Sequence, residues 1–196
     1  MNQYFMDNTV GSLTQEQKSI IIGSLLGDGY LRIIPGRKNA FLEINHSISE
    51  KDYVDWKHRE LKSLVKSPPK VRKGKGKRIA YRFFTKQHPE ITKLYQKFYR
   101  GREKIIPHLK LNPLIIAIWF MDDGSKSYQT YYLNTQRFDY QSQKKLIRML
   151  RKQYGIESSL NKDKGYYRIR VKQSSAERFK KLIQNYIIPA MQYKLG

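Results

Sequence analysis

Two stretches of the chain are apolar at nearly every position, and each ends in aspartate followed by glycine: "SIIIGSLLGDG" at residues 19–29 and "LIIAIWFMDDG" at residues 114–124. Ahead of the first, Thr14 and Gln17 stand three apart as a capping box, so the spacing predicts a helix over 15–28 that Gly29 stops. The second has Asn112 as its cap, Pro113 at the first helical position and Leu111 and Ile116 as a staple, which predicts a helix over 113–123 before Gly124. A helix that is apolar nearly all round has no solvated face, so the C-terminal ends of both should be buried.

The pattern that follows each run is also repeated. Asn45 and Asn134 each close a short alternating segment, "FLEIN" and "YYLN", and lead into helix-like stretches, "KDYVDWKHRELKSLV" and "DYQSQKKLIRMLRKQY". Basic hairpin signals with glycine at the turn come next, "VRKGKGKR" and "NKDKGYYR". Then "RFFTKQ" corresponds to "RIRVKQ", and "KLYQKF" to "KLIQNY". Such self-similarity reads as two copies of one unit, each helix, two strands, helix, two strands, helix.

Within the strands one face is cationic. Tyr167, Ile169 and Val171 alternate with Arg168, Arg170 and Lys172; Tyr81, Phe83 and Thr85 alternate with Arg82, Phe84 and Lys86; Leu42 and Ile44 alternate with Glu43 and Asn45. The segment from Lys66 to Arg78 holds seven cations and no acid. Over all 196 residues, 39 Lys and Arg face 16 Asp and Glu, a net charge of +23 that exceeds what solubility needs and attracts polyanions. Nucleic acid is therefore the leading partner. A membrane is disfavoured, because the longest apolar stretch, Leu114 to Met121, is too short to span one and the first eleven residues lack the basic start and apolar stretch of a signal peptide. The absence of cysteine excludes disulfides, thiolate nucleophiles and Cys-ligated zinc, and fits an intracellular setting.

A carboxylate at the C-terminal end of a helix is disfavoured by the dipole, and here it happens twice. If the two apolar helices pack together through Gly23, Ser24, Gly27 and Ala117, Asp28 and Asp123 meet and repel, which calls for a cation. Hard oxygen ligands suit Mg²⁺ or Mn²⁺, and the end-of-helix carbonyls of Gly27 and Asp122 are available to join the shell. Asp122, pointing elsewhere on its helix, fits a structural role for its side chain. Paired carboxylates holding a divalent metal near a phosphate suit phosphodiester hydrolysis.

The nonapeptides "IIGSLLGDG" (21–29) and "IAIWFMDDG" (116–124) resemble the two motifs of the LAGLIDADG homing endonucleases in their single-chain form, and the resemblance covers nearly the whole chain. It implies an α+β fold of two pseudo-symmetric αββαββα halves, 1–108 and 109–196, with motif helices at the centre and antiparallel sheets straddling DNA. It implies Asp28 and Asp123 as catalytic acids, and Lys104 in "EKIIP" and Lys194 in "IIPAMQYKL" as the catalytic lysines. The first copy has Gly23 where the second has Ile118, so the helix interface is not expected to be symmetric.

The residues assigned to DNA are Arg32, Arg37, Lys38, Glu43, Asn45, Arg72, Lys73, Lys75, Lys77, Arg78, Arg82 and Lys86 in the first half. In the second they are Lys126, Asn134, Gln136, Asn161, Lys162, Lys164, Arg168, Arg170 and Lys172. Lysine and arginine would neutralise phosphates while Arg, Asn and Gln read base edges. The expected activity is site-specific cleavage of both strands of a long asymmetric duplex by a monomer, with divalent metal and, by the resemblance, 3′-extended staggered ends. Length favours a free-standing intron-encoded enzyme in a bacterium or an organelle. The rivals on the same scaffold are an intron maturase that binds RNA and a catalytically silent DNA-binding regulator.

Overall fold

The computed structural model describes residues 11–74 and 78–196, so Lys75 and Lys77 lie outside the described residues. In the first half the order is α1 (Gln15–Leu26), β1 (Tyr30–Ile33), β2 (Ala40–Ser47), α2 (Lys51–Glu60), β3 (Lys70–Lys73), β4 (Ile79–Phe84) and α3 (Pro89–Phe98). A two-stranded hairpin, β5 (Tyr99–Arg100) and β6 (Glu103–Lys104), leads onward. The second half repeats the order with α4 (Pro113–Asp123), β7 (Gly124–Ser127), β8 (Thr130–Leu133), α5 (Tyr140–Tyr154), β9 (Ser158–Asp163), β10 (Tyr166–Val171) and α6 (Gln173–Ile183). The architecture is α+β, with two antiparallel sheets of equivalent order, β1-β2-β4-β3 and β7-β8-β10-β9.

The capping box is formed: Thr14 Oγ1 accepts the Gln17 N–H at 3.1 Å, and Gln17 Oε1 accepts the Thr14 N–H at 3.1 Å. Asn112 caps α4 by accepting the Ile115 N–H at 2.8 Å, with Pro113 in the first turn. One boundary differs from the sequence reading. The first helix stops at Leu26, because Gly27, at φ −108° and ψ −133°, leaves helical space, so Asp28 stands beyond the helix while Asp123 is the last residue of α4. The stretch read as one helix over 51–65 is also shorter: α2 ends at Glu60 and a 3-10 turn, Lys62–Leu64, brings Val65 to bridge Thr85 at the sheet.

Helices α1 and α4 form the centre of the core, with Ile20, Ile21, Leu25, Leu26, Ile116, Ile118, Trp119 and Phe120 fully buried. Their close approach is one-sided. A Cβ on Gly23 would lie 2.7 Å from Ile118 Cβ, and one on Gly27 would lie 2.3 Å from Asp122 Cβ, so α1 supplies the gaps and α4 the side chains that fill them. Leu31, Leu42, Ile44, Phe83, Leu133, Ile169 and Val171 cover the inner faces of the two sheets. Among the described residues, no helix is long and apolar enough to cross a membrane.

Candidate active site and nucleic-acid interface

The two ends of the central helices open into one cavity of about 200 Å³, lined by Gly27, Asp28, Gly29, Tyr30, Lys104, Asp123, Asn134, Arg137 and Phe138. The sequence-predicted acids are therefore brought together. Burial, then the neighbouring Asp28 and Asp122 carboxylates, raise Asp123 to about 7, against a partial offset from Arg137 and Lys194. Asp28, whose side chain is 29% exposed, faces Arg137 at 3.4 Å and His46 at 3.8 Å.

Both predicted lysines close the helix ends. Lys104 Nζ donates to the carbonyls of Leu25 at 3.0 Å, Gly27 at 3.4 Å and Gly29 at 2.8 Å. Lys194 Nζ donates to the carbonyls of Met121 and, at 3.2 Å, Asp122. A cation at a helix C-terminus complements the dipole, which explains how each end tolerates an aspartate beside it. It also corrects the expectation that the Gly27 and Asp122 carbonyls stand unsatisfied: buried helix-end carbonyls need a donor, and the lysines supply one. Burial, and secondarily Arg137, depress Lys104 to about 8, while burial likewise lowers Lys194.

The Asp122 side chain turns away from the cavity. Its Oδ1 accepts from Lys57 Nζ at 2.6 Å and Tyr53 OH at 2.7 Å, and its Oδ2 accepts the Asp28 N–H at 3.2 Å. Its side chain is thus engaged by Lys57, Tyr53 and the Asp28 peptide. Among the described residues no group of three or more His, Cys, Asp and Glu is placed to hold a metal. The oxygen donors facing the cavity, two crowded carboxylates that repel one another, fit a hard divalent cation.

Register decides which predicted contacts face the same way. Arg32, Glu43, Asn45 and Arg82 share one face of the first sheet, with Asn45 opposite Arg82, and Lys70 and Arg72 continue it on β3. In the second sheet Asn161 lies opposite Arg168 and Tyr132 opposite Arg170 on the corresponding face, near Asn134 and Gln136. Each face carries one acid beneath its arginines. Glu43 is buried and ion-paired with Arg32 at 3.0 Å and Arg82 at 3.7 Å, so it orients both arginines. Asp163 accepts from Gln136 at 3.1 Å and stands 4.0 Å from Arg168, whose guanidinium lies 4.0 Å from the Tyr132 ring centre.

Several basic residues fall elsewhere. Lys73 pairs with Ile79, Lys126 with Tyr131 and Lys162 with Tyr167, which places all three on the opposite face from the arginines. The alternation of a strand permits one cationic face, and these positions have the other parity. Lys86 donates to the Ser63 carbonyl at 3.0 Å, in the 3-10 turn that follows α2. Arg37, Lys38, Arg78, Lys164, Arg170 and Lys172 are exposed. Asn45, Arg72, Arg78 and Arg82 line a groove of about 440 Å³.

Residues 18–179 match the profile of the LAGLIDADG DNA endonuclease family. The chain belongs to this family. It is 33% identical, over its whole length, to the cytochrome b mRNA maturase bI2 of Saccharomyces cerevisiae, of which it spans 51%. It is 31% identical to the probable intron-encoded endonuclease 1 of Wickerhamomyces canadensis, over 94% of this chain and 85% of that one. Among solved structures it is similar to the homing endonuclease I-WcaI bound to its DNA recognition sequence, with a TM-score of 0.89, 29% identity, and coverage of 95% and 88% of the two chains.

Within this LAGLIDADG chain, sequence reasoning passed over Arg137, His46, Tyr53 and Lys57. Arg137 sits in an irregular loop between β8 and α5, where no periodicity marks it. Tyr53 and Lys57 stand four apart on a helix rich in charge, a spacing that puts them on one face but equally suits a solvated surface.

Proposed function

We propose that this protein is a site-specific DNA endonuclease that hydrolyses both strands of a long asymmetric duplex, acting as a monomer whose two units, 1–108 and 109–196, each lay one arginine-bearing sheet face along the DNA. The observation that carries this reading is the single cavity holding Asp28 and Asp123 at the ends of paired helices, with Lys104 and Lys194 on the adjoining carbonyls. The similarity to I-WcaI, a homing endonuclease bound to its recognition sequence, supports the substrate class.

In this mechanism Asp28 and Asp123 would hold Mg²⁺ or Mn²⁺, and the ion would supply charge to polarise a phosphate oxygen and lower the pKa of attacking water. Asp123, raised to about 7 by burial and the neighbouring carboxylates, is the acid that a cation would relieve most. Lys104, at about 8 and partly buried, stays largely protonated at neutral pH and lies at the cavity wall, where it stabilises charge developing on a phosphate. Arg137, exposed beside Asp28, is placed to exchange its carboxylate for an incoming phosphodiester. The resemblance of the motifs supports 3′-extended staggered products.

A second activity, assistance of intron splicing by RNA binding, is favoured by the similarity to a protein named cytochrome b mRNA maturase. The test is selection from a randomised duplex library in Mg²⁺ and in Mn²⁺, beside binding to structured RNA. Discrete double-strand cuts at one sequence family support the endonuclease. Tight RNA binding with no cut product in either metal overturns it in favour of the maturase.

A further inference from the structure

Asp122 occupies the motif position that in the first copy is Gly27, and the two residues are complementary in volume: a Cβ on Gly27 would lie 2.3 Å from Asp122 Cβ and 2.7 Å from its Oδ2. The Asp122 carboxylate and the Lys57 ammonium are both 0% exposed, 2.6 Å apart. Tyr53 OH donates to the same Oδ1 at 2.7 Å, and the ammonium lies 4.4 Å from the Tyr53 ring centre. His46, 1% exposed, closes the remaining side, with Nε2 3.8 Å from Asp122 and Nδ1 2.9 Å from Glu50. A buried ion pair is weak as a source of stability, since apolar residues of the same volume serve a core as well or better. The explanation lies in what the pair holds.

It holds the peptide of Asp28. At the end of α1 the Gly27 N–H goes to the carbonyls of Gly23 and Ser24 and the Gly29 N–H goes to Ser24, so the Asp28 N–H has left the helical ladder. Its acceptor is Asp122 Oδ2, at 3.2 Å. Asp123 has no such need. It is still within α4, and its carbonyl accepts the Asn134 N–H at 2.8 Å. The two acids are thus held by different means, one by its own helix and strand, the other by a side chain from the opposite half.

We propose that Asp122, gripped by Lys57 and Tyr53, is a positioning residue that fixes the Asp28 peptide and so sets the first of the two carboxylates. This rests on the endonuclease reading for its kinetic consequence. Helix α2 of the first half thereby reaches across to the second motif helix and returns through it to the acid of its own half. The Gly27 and Asp122 pair also makes the two motif helices an unlike couple, each requiring the other.

The test uses Tyr53→Phe, Asp122→Asn, Lys57→Met and the double variant Lys57→Met with Asp122→Asn, on a duplex that the wild type cuts. Tyr53→Phe removes only the hydroxyl, and its single-turnover cleavage should fall roughly tenfold, as for other partners that orient a ligand. Its metal-free duplex affinity should stay unchanged, and nicked duplex should accumulate, because one carboxylate alone is displaced. Each charge-removing single variant should lose more rate and melt lower, since it strands a buried charge. The double variant, whose Asn amide oxygen still accepts from Asp28, should regain most of the rate. In parallel, amide hydrogen exchange of Asp28 should be slow in the wild type and faster in Tyr53→Phe, with Leu25 and Leu26 unaffected. An Asp28 amide as exposed as a surface amide in the wild type overturns the proposal, as do Tyr53→Phe and Asp122→Asn that both cut at the wild-type rate. If the wild type cuts no duplex at all, the endonuclease reading fails, while the exchange measurement still decides whether the clasp exists.

Discussion

Asp123 carries the electrostatic strain of the site. Its folded value, about 7, lies above its unfolded carboxylate value of 3.8, so its contribution to stability is fully present below about pH 4 and is lost as the pH rises through 7. Asp123→Asn should therefore match the wild type near pH 4, gain on it as the pH rises, and exceed it by roughly 1–4 kcal/mol at pH 8, read as a higher melting temperature. Asp28→Asn should show no such gain, because Asp28 already faces Arg137 at 3.4 Å and His46 at 3.8 Å. Melting curves of both variants across that pH range, without metal, check the difference. Equal curves at every pH would mean that Asp123 is not the strained acid. Lys104 is depressed to about 8 by the same burial, so its stabilising contribution exists above about pH 10.5 and is lost as the pH falls through 8.

Among the elements, α1 and α4 fix the site by asymmetric packing. Gly27→Ala places a methyl where Asp122 stands and should cost about 1–3 kcal/mol, read as a lowered melting temperature, together with lost cleavage; a variant as stable as the wild type would contradict the close approach. In the proposed function the sheets carry recognition. Replacing Arg168 or Arg170 by Ala should relax base preference at particular target positions, since both lie on the face shared with Asn161 and Tyr132, whereas replacing Lys164 at the turn should weaken all sequences alike; selected-library profiles of each variant distinguish the two. Much of this was legible in the sequence. The capping residues marked both central helices, period-two alternation marked the inner and cationic strand faces, and the repeated Asp-Gly marked the acids. Charge alone misplaced Lys73, Lys126 and Lys162, because strand parity had to be known through register. The same limit hid Glu43, whose arginine partners come from β1 and β4, neighbours that only pairing reveals. The early exit of α1 at Gly27 and the Asp122 clasp were out of reach, since both arise from contact between halves nearly a hundred residues apart.

Over the whole molecule, a net charge of +23 accompanies two arginine-bearing sheet faces and one cavity that holds Asp28 and Asp123 beside Lys104 and Arg137. Duplex binding in the absence of metal should weaken with salt by a log-log slope of roughly 0.9 per phosphate neutralised, and a slope near zero would remove DNA as the partner of these faces. The most direct test of the central claim is cleavage of a selected duplex by the wild type, Asp28→Asn and Asp123→Asn in Mg²⁺, with metal-free affinity measured on the same preparations. The account predicts that each substitution abolishes or severely reduces double-strand cleavage while duplex affinity is retained. A variant that cuts both strands as the wild type does would show that its aspartate is turn chemistry at a helix end and that the paired carboxylates are not the catalytic centre.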